Sequence, residues 1–285
     1  MVFILILKNI IKYIFMSTIF QIKGRLGNAL FRYFACSIFC LKYNLKYSFN
    51  DRPQCVISDE IFIEWINVDN KNKNTKLNSN NNYLFNGFYQ HDMIYRKYKG
   101  ELLNYMNKNK EHYVLTDGIS AGDGNHQKFF IKDIIKSPND FNKYYNTVFH
   151  IRLGDRVYIK NGETTLNINS IKKMITRNKH IFENNSCLLV EKPSTEYEEK
   201  FMNEIVEFIN NICNININIE SNDILTDFHI MKNAKTLVCS ISTLSWCAAF
   251  LSERIEKCYM PDYPNHVNIY GHCKKPIENT ILYDY

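Results

Sequence analysis

An arginine follows a run of apolar residues in the middle of the chain. Residues 147–151 are mostly β-branched or aromatic and predict a buried strand, and the Gly154-Asp155 pair beyond Arg152 predicts a turn. Arg152 is therefore expected where a strand enters a loop, the edge at which open α/β sheets bind ligands. Its planar guanidinium suits a phosphate or a carboxylate. The alternative is an ion pair of Arg152 with Asp155, or with another carboxylate, that merely closes the strand.

A glycine-bearing loop near the N-terminus has a similar setting. Residues 19–22 predict a short strand, and apolar residues at helical spacing predict a helix over 29–42. The loop between them contains Gly-Arg-Leu-Gly-Asn at 24–28, whose glycines allow backbone to approach a ligand. Backbone N–H groups at the start of such a helix can face an anion. The alternative is an ordinary strand–helix turn in which Asn28 is the helix N-cap.

Hydroxyl groups cluster where another predicted strand meets a helix. The strand covers 236–239 and the helix 244–251, and Ser242, Thr243 and Ser245 lie at their junction. Such hydroxyls can cap the helix, or they can hold a diphosphate together with the free N–H groups of the helix. Capping needs only one hydroxyl, so three within four residues exceed that need, although such clusters are common in loops.

Predicted strands and helices alternate from residue 147 onward. This alternation predicts a parallel sheet with helices on both faces. In the other half, the Asn- and Lys-rich stretch 69–82 predicts an exposed loop. A strand with a turn is predicted over 83–90, and the other predicted strands lie at 187–190, 214–220 and, as the last one, 258–260. The other predicted helices lie at 95–107, at 170–180, after a capping box formed by Thr195 and Glu198, and at 227–232.

The composition is that of a folded globular protein. With 285 residues, 45% of them hydrophobic, the chain can form one large α/β domain or two domains that share a cleft. A net charge of +6 permits an anionic ligand, but the lysines are scattered among asparagines, which argues against nucleic-acid binding. The nine cysteines are odd in number and include no Cys-x-x-Cys pair, so we expect reduced thiols in a reducing compartment.

The N-terminal residues predict neither a membrane span nor a cleaved leader. The apolar run 1–7 ends at Lys8 and is much shorter than the ~18 residues of a span. No small-residue cleavage site follows it. We therefore expect a cytoplasmic protein in which 1–15 form an extension and Met16 is a possible start; weak membrane anchoring through 1–22 is the alternative.

Taken in order, the three motifs resemble those of the α-1,2-fucosyltransferases, glycosyltransferase family 11. The resemblance covers about residues 19–252. It is carried by Gly-Arg-Leu-Gly-Asn at 24–28, His-x-Arg-x-Gly-Asp at 150–155 and Ser-Thr-x-Ser-Trp-x-Ala-Ala at 242–249, with similar segments at 86–90 (Asn-Gly-Phe-Tyr-Gln) and 227–231 (Asp-Phe-His-Ile-Met).

The resemblance implies a fold and a reaction. The fold is α/β and GT-B-like, with two Rossmann-like lobes that face a cleft: an acceptor-side lobe over 16–140 and a nucleotide-sugar-binding lobe over 141–285. The reaction is the inverting transfer of fucose from GDP-fucose to a hydroxyl of a glycan acceptor. No metal or other cofactor is expected, and the chain contains no Asp-x-Asp triplet.

The same resemblance assigns roles to individual residues. Arg152 is expected on the β-phosphate of the donor as the main electrostatic catalyst. Asp227 is expected to hold the guanosine or to structure its own loop. The chemistry of the transfer, apart from the resemblance, also requires a base for the acceptor hydroxyl; Asp155, His150 and His91 are the candidates, and the sequence does not choose between them. The remaining substrate-binding residues that the resemblance implies are Arg25, Gly27, Asn28, Ser242, Thr243 and Ser245.

Four positions depart from the pattern of the family. Leu153 stands where a second arginine is frequent, Ala29 replaces a glutamine, Ile241 an asparagine and Cys247 a tryptophan. These departures support two alternatives: a degenerate, non-catalytic protein that binds a glycan or a nucleotide, and a transferase that uses another GDP-sugar.

Overall fold

The chain folds into two compact units. The first comprises Met1–Tyr89 and Lys97–Lys128, and the second comprises Gln90–Arg96 and Phe129–Tyr285. The computed structural model describes residues 24–47, 55–67, 83–85, 87–116, 126–153, 167–262 and 274–284, and the backbone of 17–20.

The first unit contains a parallel sheet of four strands. Its order is β2-β1-β4-β3, so that β1 and β4 are the central neighbours. The described part of β1 ends before residue 21, and in the stretch 83–90, predicted as a strand with a turn, the strand covers only 83–85. The strands are β1 (Ser17–Phe20), β2 (Lys46–Tyr47), β3 (Cys55–Ile57) and β4 (Tyr83–Phe85).

The helical stretch predicted over 95–107 is confirmed except at Tyr98, which divides it into two helices. They are α3 (Asp92–Lys97) and α4 (Lys99–Lys108), and Tyr98 between them has non-helical angles (φ −103°, ψ 14°). Helix α3 as far as Arg96 belongs to the second unit, and α4 belongs to the first. The first unit also contains α1 (Leu26–Tyr43), α2 (Asp59–Asn67), β5 (Tyr113–Thr116) and the start of β6 (Gln127–Phe130), which pairs with β5.

The second unit is built on a parallel sheet of six strands, which confirms the α/β class and the predicted parallel sheet. The order is β12-β11-β10-β7-β8-β9. Counted from β7, this is the 3-2-1-4-5-6 order of a doubly wound sheet. The strand over 258–260 is not the last one, because β12 follows it. The strands are β7 (Thr147–Ile151), β8 (Ser186–Val190), β9 (Asn218–Glu220), β10 (Thr236–Cys239), β11 (Lys257–Asp262) and β12 (Thr280–Asp284).

Helices cover both faces of this sheet. Apolar side chains of β7 and β8 pack with those of the first two crossover helices in one core. The crossover from β9 to β10 runs in the opposite direction, so right-handed connections place the next two helices on the other face, where they contact β7 and β10. The helices of the second unit beyond α3 are α5 (Ile131–Ile135), α6 (Ile168–Arg177), α7 (Glu196–Cys213), α8 (Ile224–Lys232) and α9 (Thr243–Leu251).

The capping box before α7 is confirmed with one change: the Glu198 side chain bonds the N–H of Ser194, the residue before the N-cap Thr195. Thr195 Oγ1 accepts a hydrogen bond from the Glu198 N–H at 3.3 Å. The Glu198 carboxylate reaches back to the N–H of Ser194 at 2.6 Å. Helix α7 then buries Phe201, Ile205 and Ile209, as its periodicity predicts.

The strand predicted over 214–220 is confirmed only over its last three residues. Asn214 ends α7 in the left-handed conformation (φ 54°). The Asn210 side chain then accepts a hydrogen bond from the Ile217 N–H at 2.9 Å. The chain therefore joins the sheet only at Asn218, where β9 begins.

Two further expectations concern thiols and the membrane. The eight cysteines within the described ranges are all free thiols, and most of them are buried. In the same ranges, no helix is both long and apolar enough to cross a bilayer. The predicted N-terminal extension over 1–15 and the predicted loop over 69–82 lie outside the described residues.

Candidate functional site

The order of the six-stranded sheet reverses between β7 and β10, and their carboxyl ends are level. His150 on β7 pairs with Cys239 on β10. Beyond the ladder, the Ser240 N–H donates to the His150 carbonyl oxygen at 3.0 Å, and the Arg152 N–H donates to Ser240 Oγ at 2.9 Å. Ser240 thus fixes the backbone of Arg152 at the point where doubly wound sheets bind nucleotides.

The N-terminus of α9 opens at the same edge. Ser242 occupies the N-cap position with extended angles, but its side chain makes no capping hydrogen bond. The Ser245 hydroxyl donates to the Ser242 carbonyl oxygen at 3.0 Å and is fully buried. Ser242 and Thr243 stay at the helix end, where the first turn has no acidic residue. The end of α9 therefore favours an anion, and Ser245 serves the helix itself.

His150 is a buried residue on β7 whose Nδ1 atom lacks a hydrogen-bond partner among the described residues. Burial lowers the pKa of His150 to about 3, and the nearby charge of Arg152 adds to this effect. The ring is therefore neutral at neutral pH and is a very weak base. This argues against His150 as the base and leaves it a hydrogen-bonding role.

The four departures from the family pattern are all buried side chains. Leu153 lies in the core of the second unit together with residues of α6 and β8. Ala29 and Cys247 are completely buried, and Ile241 nearly so. In this chain, position 153 therefore contributes to the core, and its leucine is explained by packing.

Asp227 lies in the first turn of α8 and holds the loop that precedes this helix. Its Oδ1 accepts hydrogen bonds from the N–H and the Nδ2 of Asn222, both at 3.1 Å. Burial raises the pKa of Asp227 to about 7; the hydrogen bonds from Asn222 oppose this rise, and the charges of Asp223 and Glu220 add to it. Of the two roles expected for Asp227, these bonds provide the structural one.

Lys143 and Tyr145 precede β7 and belong to none of the motifs. They complete the polar cluster around Asp227 and Asn222. Lys143 Nζ and the Tyr145 hydroxyl each donate to the Glu220 carboxylate at 2.6 Å. Burial alone would raise the pKa of Glu220, but hydrogen bonds from Lys143, Tyr145 and Asn222 hold it below its usual value. Sequence reasoning missed these contacts because they join residues 75 or more positions apart.

The glycine-bearing loop belongs to the first unit. Gly24 has φ +78°, and a Cβ there would lie 2.9 Å from Asn28 Nδ2. The alternative in which Asn28 is the N-cap is wrong: Arg25 is the N-cap, with extended angles and no side-chain capping hydrogen bond, and its carbonyl oxygen accepts the Ala29 N–H at 3.1 Å. Asn28 and Gly27 lie within the first turn of α1.

The structure therefore brings together only part of the predicted site. His150, Arg152 and the Ser242–Ser245 segment meet at one edge of the second unit. Arg25, Gly27 and Asn28 follow β1 in the first unit, and Asp155 lies outside the described residues. Among the described side chains, no three of His, Cys, Asp or Glu are grouped so as to hold a metal ion.

A groove of about 530 Å³ opens elsewhere in the second unit, beside the N-terminal half of α8. His229 lines it, but this ring is engaged by the fold, since it bonds to Ser137 Oγ at 3.2 Å and to the Asp133 carbonyl oxygen at 2.8 Å. Burial lowers its pKa, so the ring favours the neutral form.

Comparisons with protein-family models, with curated proteins and with solved structures found no match for this chain. A functional assignment therefore depends on the chemistry and the placement of the residues themselves.

Proposed function

We propose that this chain is a glycosyltransferase that moves fucose from GDP-fucose to a hydroxyl of a glycan acceptor, with inversion and without a metal ion. In this proposal the two units are the lobes of a GT-B-like fold, and the donor binds at the edge formed by β7, β10 and α9. The motifs at 24–28, 150–155 and 242–249 support it by their resemblance to the family.

One observation carries the proposal: Arg152 and the N-terminus of α9 share the edge at which the strand order reverses. Binding of a nucleoside diphosphate requires positive charge and backbone N–H donors, and this edge offers both. The Ser240 bridge fixes Arg152 relative to the strand that leads into α9. Such preorganised donors stabilise the charge that develops on a leaving group.

The proposed reaction breaks the bond between C1 of fucose and the β-phosphate oxygen while the acceptor oxygen forms its bond to C1 from the opposite side. The electron pair of the broken bond stays on GDP, where Arg152 and the end of α9 neutralise it. The acceptor proton passes to a base. Because the pKa of His150 is about 3, Asp155 and His91 are the remaining candidates for that base.

The first test is binding of GDP, measured by isothermal titration calorimetry on the whole chain. We expect Arg152→Ala to weaken GDP binding at least about tenfold and Arg152→Lys less, since lysine keeps the charge but loses the planar fork. Arg177→Ala is the matched control, because Arg177 is an exposed arginine of the same unit that pairs with Asp284. Equal GDP affinity of the Arg152→Ala variant and the unsubstituted chain refutes the assignment.

The second test is turnover of a panel of GDP-sugars with and without glycan acceptors. We expect consumption of GDP-fucose, and a loss of about a hundredfold or more in the Arg152→Ala variant, the scale of losing one group that stabilises the leaving group. Circular dichroism checks that the variant is folded. Binding of GDP without any turnover would favour the non-catalytic alternative, and turnover of a different GDP-sugar would replace fucose as the donor.

A further inference from the structure

The segment Gly87–Tyr89, called the strap below, follows β4 in the first unit and is held by one carboxylate. Asp59, the first residue of α2, accepts the Phe88 N–H on Oδ2 at 3.1 Å. Its Oδ1 accepts the Tyr89 N–H at 2.6 Å. Both oxygens of Asp59 are thus engaged by the backbone of the strap, so this carboxylate acts on its conformation.

The strap is strained at Tyr89, which has φ +51°. The other described non-glycine residues with positive φ are Asn44 and Asn214, and each ends a helix in the left-handed position that asparagine tolerates. A tyrosine in this conformation is an outlier. Its ring is fully buried, and its hydroxyl donates to the Ile57 carbonyl oxygen. The fold therefore imposes the conformation of the strap.

Gly87 is required by the same contact. A Cβ at this position would lie 2.1 Å from Asp59 Oδ2, much closer than any real Cβ contact. The absence of a side chain at Gly87 therefore makes room for the carboxylate of Asp59.

The strap lies at the kind of sheet edge where open α/β proteins bind ligands. Chain order reverses between β1 and β4, because β2 lies on the outer side of β1 and β3 on the outer side of β4. The loop that contains Arg25 follows β1, and the strap follows β4, so both leave the carboxyl edge of adjacent strands. In open α/β sheets this edge holds the ligand crevice, and backbone strain concentrates at such sites.

We propose that Asp59 is a positioning residue, which holds the strap in its strained turn so that the strap forms one wall of the glycan acceptor subsite. This inference rests on the proposed function. A sugar fits this wall better than a phosphate does, because the strap has no charged side chain and Phe88 is a half-buried aromatic ring. Such a ring can pack against the apolar face of a sugar.

The test compares Asp59→Ala, Asp59→Asn and Gly87→Ala in the whole chain. Alanine at 59 removes both acceptors, asparagine keeps one, and alanine at 87 introduces the clash with Asp59. Glu64→Ala is the matched control, since Glu64 is an exposed acid of the same helix. The readouts are the KM for a β-galactoside acceptor, the KM for GDP-fucose, the rate of donor hydrolysis, glycan binding by saturation-transfer NMR, and Tm.

We expect Asp59→Ala and Gly87→Ala to raise the acceptor KM by about tenfold or more, the cost of a displaced positioning element. The KM for GDP-fucose and the rate of donor hydrolysis should stay unchanged, Asp59→Asn should lie between Asp59→Ala and the unsubstituted chain, and Glu64→Ala should have no effect. If Asp59→Ala lowered Tm but left the acceptor KM unchanged, Asp59 would be only a structural residue and the proposal would be overturned. Equal rises in the acceptor KM and the GDP-fucose KM would also overturn it.

Saturation transfer separates this inference from the proposed function. If the chain binds and hydrolyses GDP-fucose but binds no glycan of a β-galactoside panel, the inference alone fails. If the chain does not bind GDP, the proposed function fails, and the strap is then judged by whether Asp59→Ala weakens glycan binding.

Discussion

Asp227→Asn should stabilise the protein at alkaline pH and leave it unchanged at acidic pH. The pKa of Asp227 is about 7 in the fold, against an ordinary value of 3.8 for an aspartate. Between these two values the folded state binds more protons than the unfolded state, so the free energy of unfolding falls as pH rises through this window. The loss is complete above pH ~7 and absent below pH ~4.

The size of the effect follows from the same two values. At about 1.4 kcal/mol per pKa unit, the whole difference corresponds to about 4 kcal/mol for a fully buried group. Asp227 is only partly buried, so solvent screening reduces this to roughly 2 kcal/mol. Asparagine can still accept both hydrogen bonds from Asn222, so the substitution removes the buried charge and keeps the loop.

Urea unfolding of the whole chain at pH 4.0 and 8.5 measures the effect. We expect Asp227→Asn to match the unsubstituted protein at the lower pH and to exceed its stability by roughly 2 kcal/mol at the higher pH. Asp140→Asn, at an exposed position of the same unit, is the control and should change neither value. A stability difference that is the same at both pH values would contradict the reasoning about the buried carboxylate.

Two further substitutions test the contacts around the site. Ser240→Ala leaves the Arg152 N–H without its acceptor and should cost about 1–2 kcal/mol in urea unfolding while weakening GDP binding about tenfold in calorimetry. Thr195→Ala removes the N-cap bond of α7 and should cost about 1 kcal/mol without altering GDP binding, because that cap is no part of the site. Equal effects of both variants on GDP binding would argue against a specific role of Ser240.

Sequence patterns predicted the second unit well, because its elements are locally consistent. Strand β7 is apolar throughout, and α7 has both its cap at Thr195 and a clear periodic face. Short strands that alternate with helices then leave few arrangements other than a parallel sheet. The motif around Arg152 and the one around Ser242 were expected at strand ends, and both lie there.

Most of what the sequence did not predict involves contacts between residues that are distant along the chain. The helical stretch predicted over 95–107 is interrupted at Tyr98, and Tyr95 before the break packs on Trp246 and Phe250. The error at Asn28 is local: asparagine is a residue type that caps favour, yet α1 begins at Leu26. The clamp of Asp59 on the strap joins residues about thirty positions apart, and no periodicity reveals such a pair.

The insertion of residues 90–96 into the second unit constrains how the protein is made. Asp92 Oδ2 accepts a hydrogen bond from the backbone N–H of Lys275, 183 positions later. The ring of Tyr95 packs on the rings of Trp246 and Phe250 in α9. On the ribosome, this short segment, the arm, is synthesised long before its partners in the second unit and makes these contacts only after they have emerged. A gene fragment that starts at residue 129 would lack the arm and leave Trp246 and Phe250 without the ring of Tyr95.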